Sequence, residues 1–416
     1  MNRSLTLWIV IVAGLTLFAG TSTVHALTAS PAWPNPPVLV DPLASYDLQP
    51  GDRFLAYNHN GVPSIAYVNA PGDVYFAQQT GGAGWASAVV AFSGIASGAS
   101  LAFDNSELPG ISYGEVGFGL LHFQKWDPAI TAWVDQLLGL SGFWVETSIA
   151  FDVLGNPAIA AYNDLTTSTS FVRDNDGDGD LTLEPLEFVV AAERRPSLAI
   201  DPLNRPVLGL NTDAGAGGEF ANVWVRNPIL GWVPPVPGPG FPALEGIMPA
   251  NVSVAIDPDD GQPAMAWTDP SAGELWYAKW DELMDTWDPP VLVDAPGVEL
   301  GNESLAFDPA DGNPAISYSN DFGEVLFAWE DSGGIWTVEP PVFDTGLLSP
   351  NRTSLAFNEF GHGFPAISAI SNDFAGGGEL WFIVDPPLAV PEPASMVMLL
   401  VGIAPLFVRR SASRAR

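Results

Sequence analysis

The chain has 416 residues, 47% hydrophobic and 15% charged, so it can bury a large core and is too apolar to remain disordered. Its 48 acidic and 14 basic residues give a formal charge of −34, which repels phosphate backbones and excludes nucleic acid as a partner. Cysteine is absent, and 42 glycines and 39 prolines occur without a collagen period. Disulfides and thiolate chemistry are therefore excluded, and a turn-rich β fold is favoured.

At the N-terminus, Asn2 and Arg3 precede an apolar run from Leu5 to Ala19, and Val24 and Ala26 put small residues at the two positions a signal peptidase reads. The pattern predicts that residues 1–26 are a signal peptide and that the protein is exported. After it comes Trp33-Pro-Asn-Pro-Pro-Val-Leu-Val-Asp41, which closely matches Trp287-Asp-Pro-Pro-Val-Leu-Val-Asp294 far downstream.

Residues 27–388 repeat one phrase. Its clearest copy is Ser304-Leu-Ala-Phe-Asp308, a turn through Gly312, then Pro314-Ala-Ile-Ser-Tyr318. The Asp or Asn that closes the first half recurs at Asn58, Asp104, Asp152, Asp201, Asp257, Asp308 and Asn358, 46 to 56 residues apart. A period near 50 means one supersecondary unit per repeat. Each unit adds an aromatic segment such as Leu275-Trp-Tyr-Ala278 and a tryptophan-led one such as Trp287 to Val293, which makes four short strands.

Seven such units predict an all-β fold, a seven-bladed β-propeller of four-stranded blades. The seventh unit reaches Asp385-Pro386-Pro387 before any fourth strand. The segment after Trp33 is therefore expected to supply it, with Val38 to Val40 pairing against Leu380 to Ile383, so that no sheet edge is left open. Within Ser-Leu-Ala-Phe, the period of two puts Ser and Ala on one face and Leu and Phe on the other. Large faces can then pack on the small faces of neighbouring blades.

One segment has metal-ligand spacing. Asp174, Asp176, Asp178 and Asp180, with Gly179 and Leu181, match the first half of a calcium loop, where alternate residues turn their oxygens inward and glycine permits the sharp bend. Thr182 adds a carbonyl and Glu184 a carboxylate. The segment resembles EF-hand and dockerin-like loops but has Pro185 where a bidentate acid belongs, so structural calcium is expected with an incomplete ligand set.

The loops after each second strand carry Asn69, Glu115, Asn163, Asp164, Asp213, Asp269, Asn320, Asp321, Asn372 and Asp373. They read either as turn formers or as a ring of ligand-binding groups on one face. His59, His122 and His362 lie at unlike positions in different repeats, which disfavours a histidine metal cluster or a histidine-activated nucleophile.

The chain closes with Val390-Pro391-Glu392-Pro393, an apolar stretch from Met396 to Val408, and Arg409, Arg410, Arg414 and Arg416. Residues 389–416 resemble the PEP-CTERM sorting signal, whose parts are a Pro-Glu-Pro motif, a hydrophobic membrane helix and a basic end. The resemblance implies an exosortase as processing partner, a Gram-negative host that makes exopolysaccharide, and a destination in the envelope, at the surface or in the extracellular matrix. Between the two end segments, residues 27 to 408 keep all 48 acids but only nine basic residues.

The reading that follows is an exported, non-catalytic binding or structural propeller with a glycan or protein ligand. The alternative is a glycosidase or lyase that uses channel-mouth carboxylates, although among 48 acids the sequence nominates no pair.

Overall fold

The computed structural model describes Trp33 and residues 36 to 384, apart from several connecting stretches that include 45–52, 175–180, 185–194, 234–250, 345–349, 359–363 and 373–377. The N-terminal 1–32 and C-terminal 385–416 segments, with the expected signal peptide, Pro-Glu-Pro motif and apolar helix, lie outside the described residues. No described residue is helical.

The strands form seven separate antiparallel sheets. Their innermost strands are Leu55–Tyr57, Ala96–Phe103, Trp144–Phe151, Ser197–Ile200, Val252–Ile256, Ser304–Phe307 and Pro350–Phe357, and these line one central channel. This is the seven-bladed propeller that the period predicts. In blades 5 and 6 the outer position is split into two short segments, Thr286–Trp287 with Val291–Asp294 and Trp336–Val338 with Phe343–Asp344. Each inner strand starts at what we term the loop face, and each first turn lies on the opposite, turn face.

Blade 7 takes its outer strand from the N-terminus. Val38–Ala44 pairs antiparallel with Gly378–Val384, with Val38 opposite Phe382 and Leu39 opposite Trp381. The likeness between the two tryptophan-led segments is a likeness of contacts. Asp41 accepts a hydrogen bond from Tyr67 at 2.5 Å and Asp294 one from Tyr318 at 2.7 Å, so each outer strand clasps the second strand of the following blade. Trp33 and Trp287 are both buried in the interface that precedes their own blade.

Seven apolar clusters hold the ring together, one for each blade interface. Leu305 and Phe307 of blade 6 pack on Ala255 and Ala266 of blade 5, and Leu101 and Phe103 of blade 2 pack on Ala56 and Ala66 of blade 1. The alternation of large and small faces thus decides how the blades stack.

The serine of the phrase has a role beyond being small. Ser304 Oγ accepts the Leu355 backbone N–H at 3.1 Å, Ser253 that of Leu305 at 3.0 Å, Ser197 that of Val254, Ser148 that of Leu198, Ser100 that of Ile149 and Ser354 that of Leu55. In blade 1 the position is Phe54, and the Arg53 carbonyl takes the Leu101 N–H instead. Each clasp satisfies a donor that blade packing has cut off from water. Ser304→Ala is expected to destabilise the protein by about 1–3 kcal/mol, readable as a lower denaturant midpoint with unchanged slope.

The closing Asp or Asn caps its turn. Asp152 Oδ1 accepts the N–H groups of Leu154 and Asn156, both at 2.8 Å, and Asn58 and Asp104 do the same in their blades. Four of these carboxylates also hold a cation: Lys125 on Asp104, Arg173 on Asp152, Arg205 on Asp201 and Lys279 on Asp257.

Candidate functional site

The channel encloses a cavity of about 470 Å³, walled by alanines such as Ala102, Ala150 and Ala306 and by aromatic residues such as Tyr57, Phe103 and Phe151. His59, Pro258 and Pro309 lie towards its turn-face end, and Arg53 towards its loop-face end. Arg53 donates from Nη2 to the Val254 carbonyl of blade 5, so its side chain crosses the channel.

At that loop-face end, charged residues from several blades converge just ahead of the repeated serine. Arg352 of blade 7 places Nη2 3.0 Å from Glu146 Oε2 of blade 3, and Arg195 of blade 4 places Nε 3.7 Å from Glu146 Oε1. Glu303 of blade 6 feels the charge of both arginines, and Thr268 Oγ1 lies 3.4 Å from its Oε2. Glu146, Glu303 and Arg352 are 1%, 3% and 4% exposed. Burial pushes the Glu303 carboxyl up to about 7, against the pull of the two guanidinium groups.

The backbone is irregular at four of these equivalent positions. The ladder shifts register between Trp144 and Glu146 and between Pro350 and Arg352, and such bulges re-aim side chains. Arg53 and Arg195 have φ of +52° and +90°, a region that non-glycine residues rarely adopt. Gly98, in the matching stretch of blade 2, has φ +66° and lies so close to blade 3 that a Cβ would come within 2.5 Å of the Glu146 Cα. A regular strand would aim these side chains at the blade interfaces.

The sequence reading missed this cluster. Its members are separated by whole repeats and differ from blade to blade, so neither a motif nor a spacing marks them. The usable signal was scarcity, because Arg53, Arg195 and Arg352 are three of only nine basic residues between positions 27 and 408.

The residues proposed from sequence fare differently. Asp174 is buried at the end of the third strand of blade 3, while Asp176, Asp178 and Asp180 lie outside the described residues. Thr182 and Glu184 form the short outer strand Thr182–Glu184. Glu184 accepts from Arg226 Nε at 2.5 Å and Nη2 at 2.9 Å. Among the described residues no three His, Asp or Glu side chains are grouped to hold a metal.

The loop residues behave mainly as turn formers. Asn69 Oδ1 accepts the Asp73 N–H, Asn163 Oδ1 that of Leu165 and Asn320 Oδ1 that of Glu324, while Asp164 and Asp321 stand exposed. Asp373 lies outside the described residues.

Glu115 does something else. His122 stacks on Tyr113 at 4.7 Å, with Nδ1 3.1 Å from both oxygens of Asp135 and Nε2 3.5 Å from Glu115 Oε2. Burial pulls the imidazole pKa down, but the two carboxylates together outweigh it and the net shift is upward from 6.5. A raised folded-state pKa gives stabilisation that is complete below the unfolded value and lost as pH rises through the folded one. His122→Gln is therefore expected to lower the urea midpoint more at pH about 5.5 than at pH about 9. A pH-independent difference would assign His122 to packing alone.

No protein-family model matches the chain, and no curated protein matches it. Among solved structures, it resembles an ulvan lyase from a new polysaccharide lyase family, bound to a GlcA-containing ligand, with TM-score 0.57 and 12% identity over 84% of this chain and 96% of that one. It also resembles a protein of unknown function from Dyadobacter fermentans, with TM-score 0.51 and 10% identity over 87% of this chain and 99% of that one. At these identities the likeness is one of fold alone.

Proposed function

We propose that the protein is an exported propeller of the cell envelope or extracellular matrix that binds a glycan, without catalysis, at the loop-face end of its channel. The observation that carries this reading is the convergence of Glu146, Arg195 and Arg352 from three different blades, at positions that are unlike from blade to blade. On a repeated scaffold, structural needs are the same in every blade. Departures that gather charged side chains at one spot therefore speak for a ligand. The ulvan lyase of similar fold is bound to a GlcA-containing ligand, which suggests a saccharide. Screening the full chain on a glycan array, with and without calcium, tests this. A defined set of bound glycans, lost in Arg195→Gln, is expected, and no binding to any glycan overturns the reading.

A second reading, a glycosidase or lyase, is favoured by one observation. Glu303 is pushed up to about 7 by burial and feels the same two arginines that pair with Glu146. A buried carboxyl group that keeps its proton is what a general acid acting on a glycosidic bond requires. New reducing ends or unsaturated products from polysaccharides, abolished by Glu303→Gln, would establish it.

Processing by an exosortase at Val390, Pro391, Glu392 and Pro393 accounts for the tail, with the apolar stretch in the membrane and the arginines on its cytoplasmic side. Structural calcium at Asp174, Asp176, Asp178 and Asp180, with Thr182 and Glu184, is kept as part of the proposal. Calcium at tenfold to hundredfold over its dissociation constant should stabilise the fold by roughly 1–3 kcal/mol. The Asp176→Asn, Asp178→Asn double variant should lose that shift. An unchanged melting temperature of the wild type between millimolar calcium and chelator would leave the segment as an acidic turn.

A further inference from the structure

Building on the glycan-binding reading, we infer that the group recognised is a single carboxylate, that of an acidic sugar residue, held against the guanidinium edge of Arg352 beside Arg195. Nε and Nη2 form one edge of a guanidinium, and their two parallel N–H bonds match the two oxygens of a carboxylate. On Arg352 both nitrogens are buried and neither makes a hydrogen bond among the described residues. Nη2 nevertheless lies 3.0 Å from Glu146 Oε2. The two facts agree if that contact is a misaligned charge contact, which fixes the guanidinium while leaving its directed bonds unmade.

Glu146 is shared between Arg352 and Arg195, so one carboxylate faces two cations. Glu303 Oε1 likewise has no hydrogen-bond partner among the described residues, and while it carries its proton this group can donate to the ligand instead of repelling it. The 470 Å³ channel cavity is lined by Arg53 and by Leu355 and Ile149, which follow Arg352 and Glu146 along their strands, and its volume suits a saccharide residue.

The rest of the chain narrows the class further. A chain of formal charge −34 repels a polymer with a charge on every unit. An isolated acidic residue within, or ending, an otherwise neutral glycan escapes most of that repulsion.

Titration calorimetry of the full chain with a glucuronate-terminated oligosaccharide, and with the same molecule reduced at its carboxyl group, tests this. The acidic probe is expected to bind about 10- to 100-fold more tightly. Arg352→Lys keeps the charge but loses the two-nitrogen edge, and should remove most of that preference. Arg195→Gln, further from Glu146, provides a second variant should the first fail to fold, and the melting temperature of each reports its integrity. Equal affinity for the two probes, or a preference unchanged in a folded variant, overturns the carboxylate assignment and leaves the glycan-binding reading standing. Absence of binding to every glycan of the array removes that reading and this inference with it.

Discussion

Replacing Trp33 by alanine is expected to cost about 3–5 kcal/mol of stability, the usual range for emptying a buried indole site. Trp33 is 1% exposed and sits in the cluster between blades 6 and 7 with Val325, Val342, Phe343 and Leu355. It meets Phe327 edge-on at 5.3 Å, and its Nε1 donates to Glu339 Oε2 at 3.1 Å. The cavity would open where the ring is joined by two ends of the chain and not by a covalent turn. The loss should therefore appear both as a lower denaturant midpoint and as early protection loss in amide exchange along Gly378–Val384. Trp33→Phe keeps most of the apolar area and should cost much less. If alanine is tolerated to within 1 kcal/mol or so, the closing segment contributes little and the ring is held by its other interfaces.

Removing the Arg352 side chain should be comparably severe, for an electrostatic reason. Arg352→Met strands Glu146, 1% exposed, with Arg195, 3.7 Å away, as its remaining ion partner among the described residues. Breaking one half of a buried pair typically costs about 3–5 kcal/mol, because the other charge stays desolvated. Arg352→Met combined with Glu146→Gln should be less harmful than Arg352→Met alone, since it removes the stranded charge as well. A double variant as unstable as the sum of the two single ones would mean that the pair does not interact and that each side chain acts through packing.

Much of the fold could be read from the chain because each blade repeats the same physical solution. Ser-Leu-Ala-Phe specifies a strand with one large and one small face, and the closing Asp or Asn specifies a capped turn. The match between the segments after Trp33 and Trp287 located the closing strand. The hydrogen bonds of the serine ring were not legible, because their donors lie about 50 residues away in the next repeat and sequence showed only that serine is small. The cluster around Glu146 escaped for the complementary reason. It depends on Glu146, Arg195, Glu303 and Arg352 being unlike one another, and a search for recurrence discards what does not recur. In the acidic segment from Asp174 to Glu184 the spacing is conspicuous, but the engagement of Glu184 by Arg226 of the next blade could not be read from it.

The closing strand also fixes how the protein responds to force. Val38–Ala44 and Gly378–Val384 run antiparallel, with Val38 opposite Phe382 and Ala44 opposite Gly378, so the chain enters the first strand and leaves the second at the same end of the blade. Tension between the two termini pulls at right angles to the strands and breaks their hydrogen bonds one after another, as a zipper opens, instead of loading them all in shear. A molecule held by one terminus alone never experiences that load. One held at both ends would open at blade 7 under a force far below that needed to shear any strand out of its sheet.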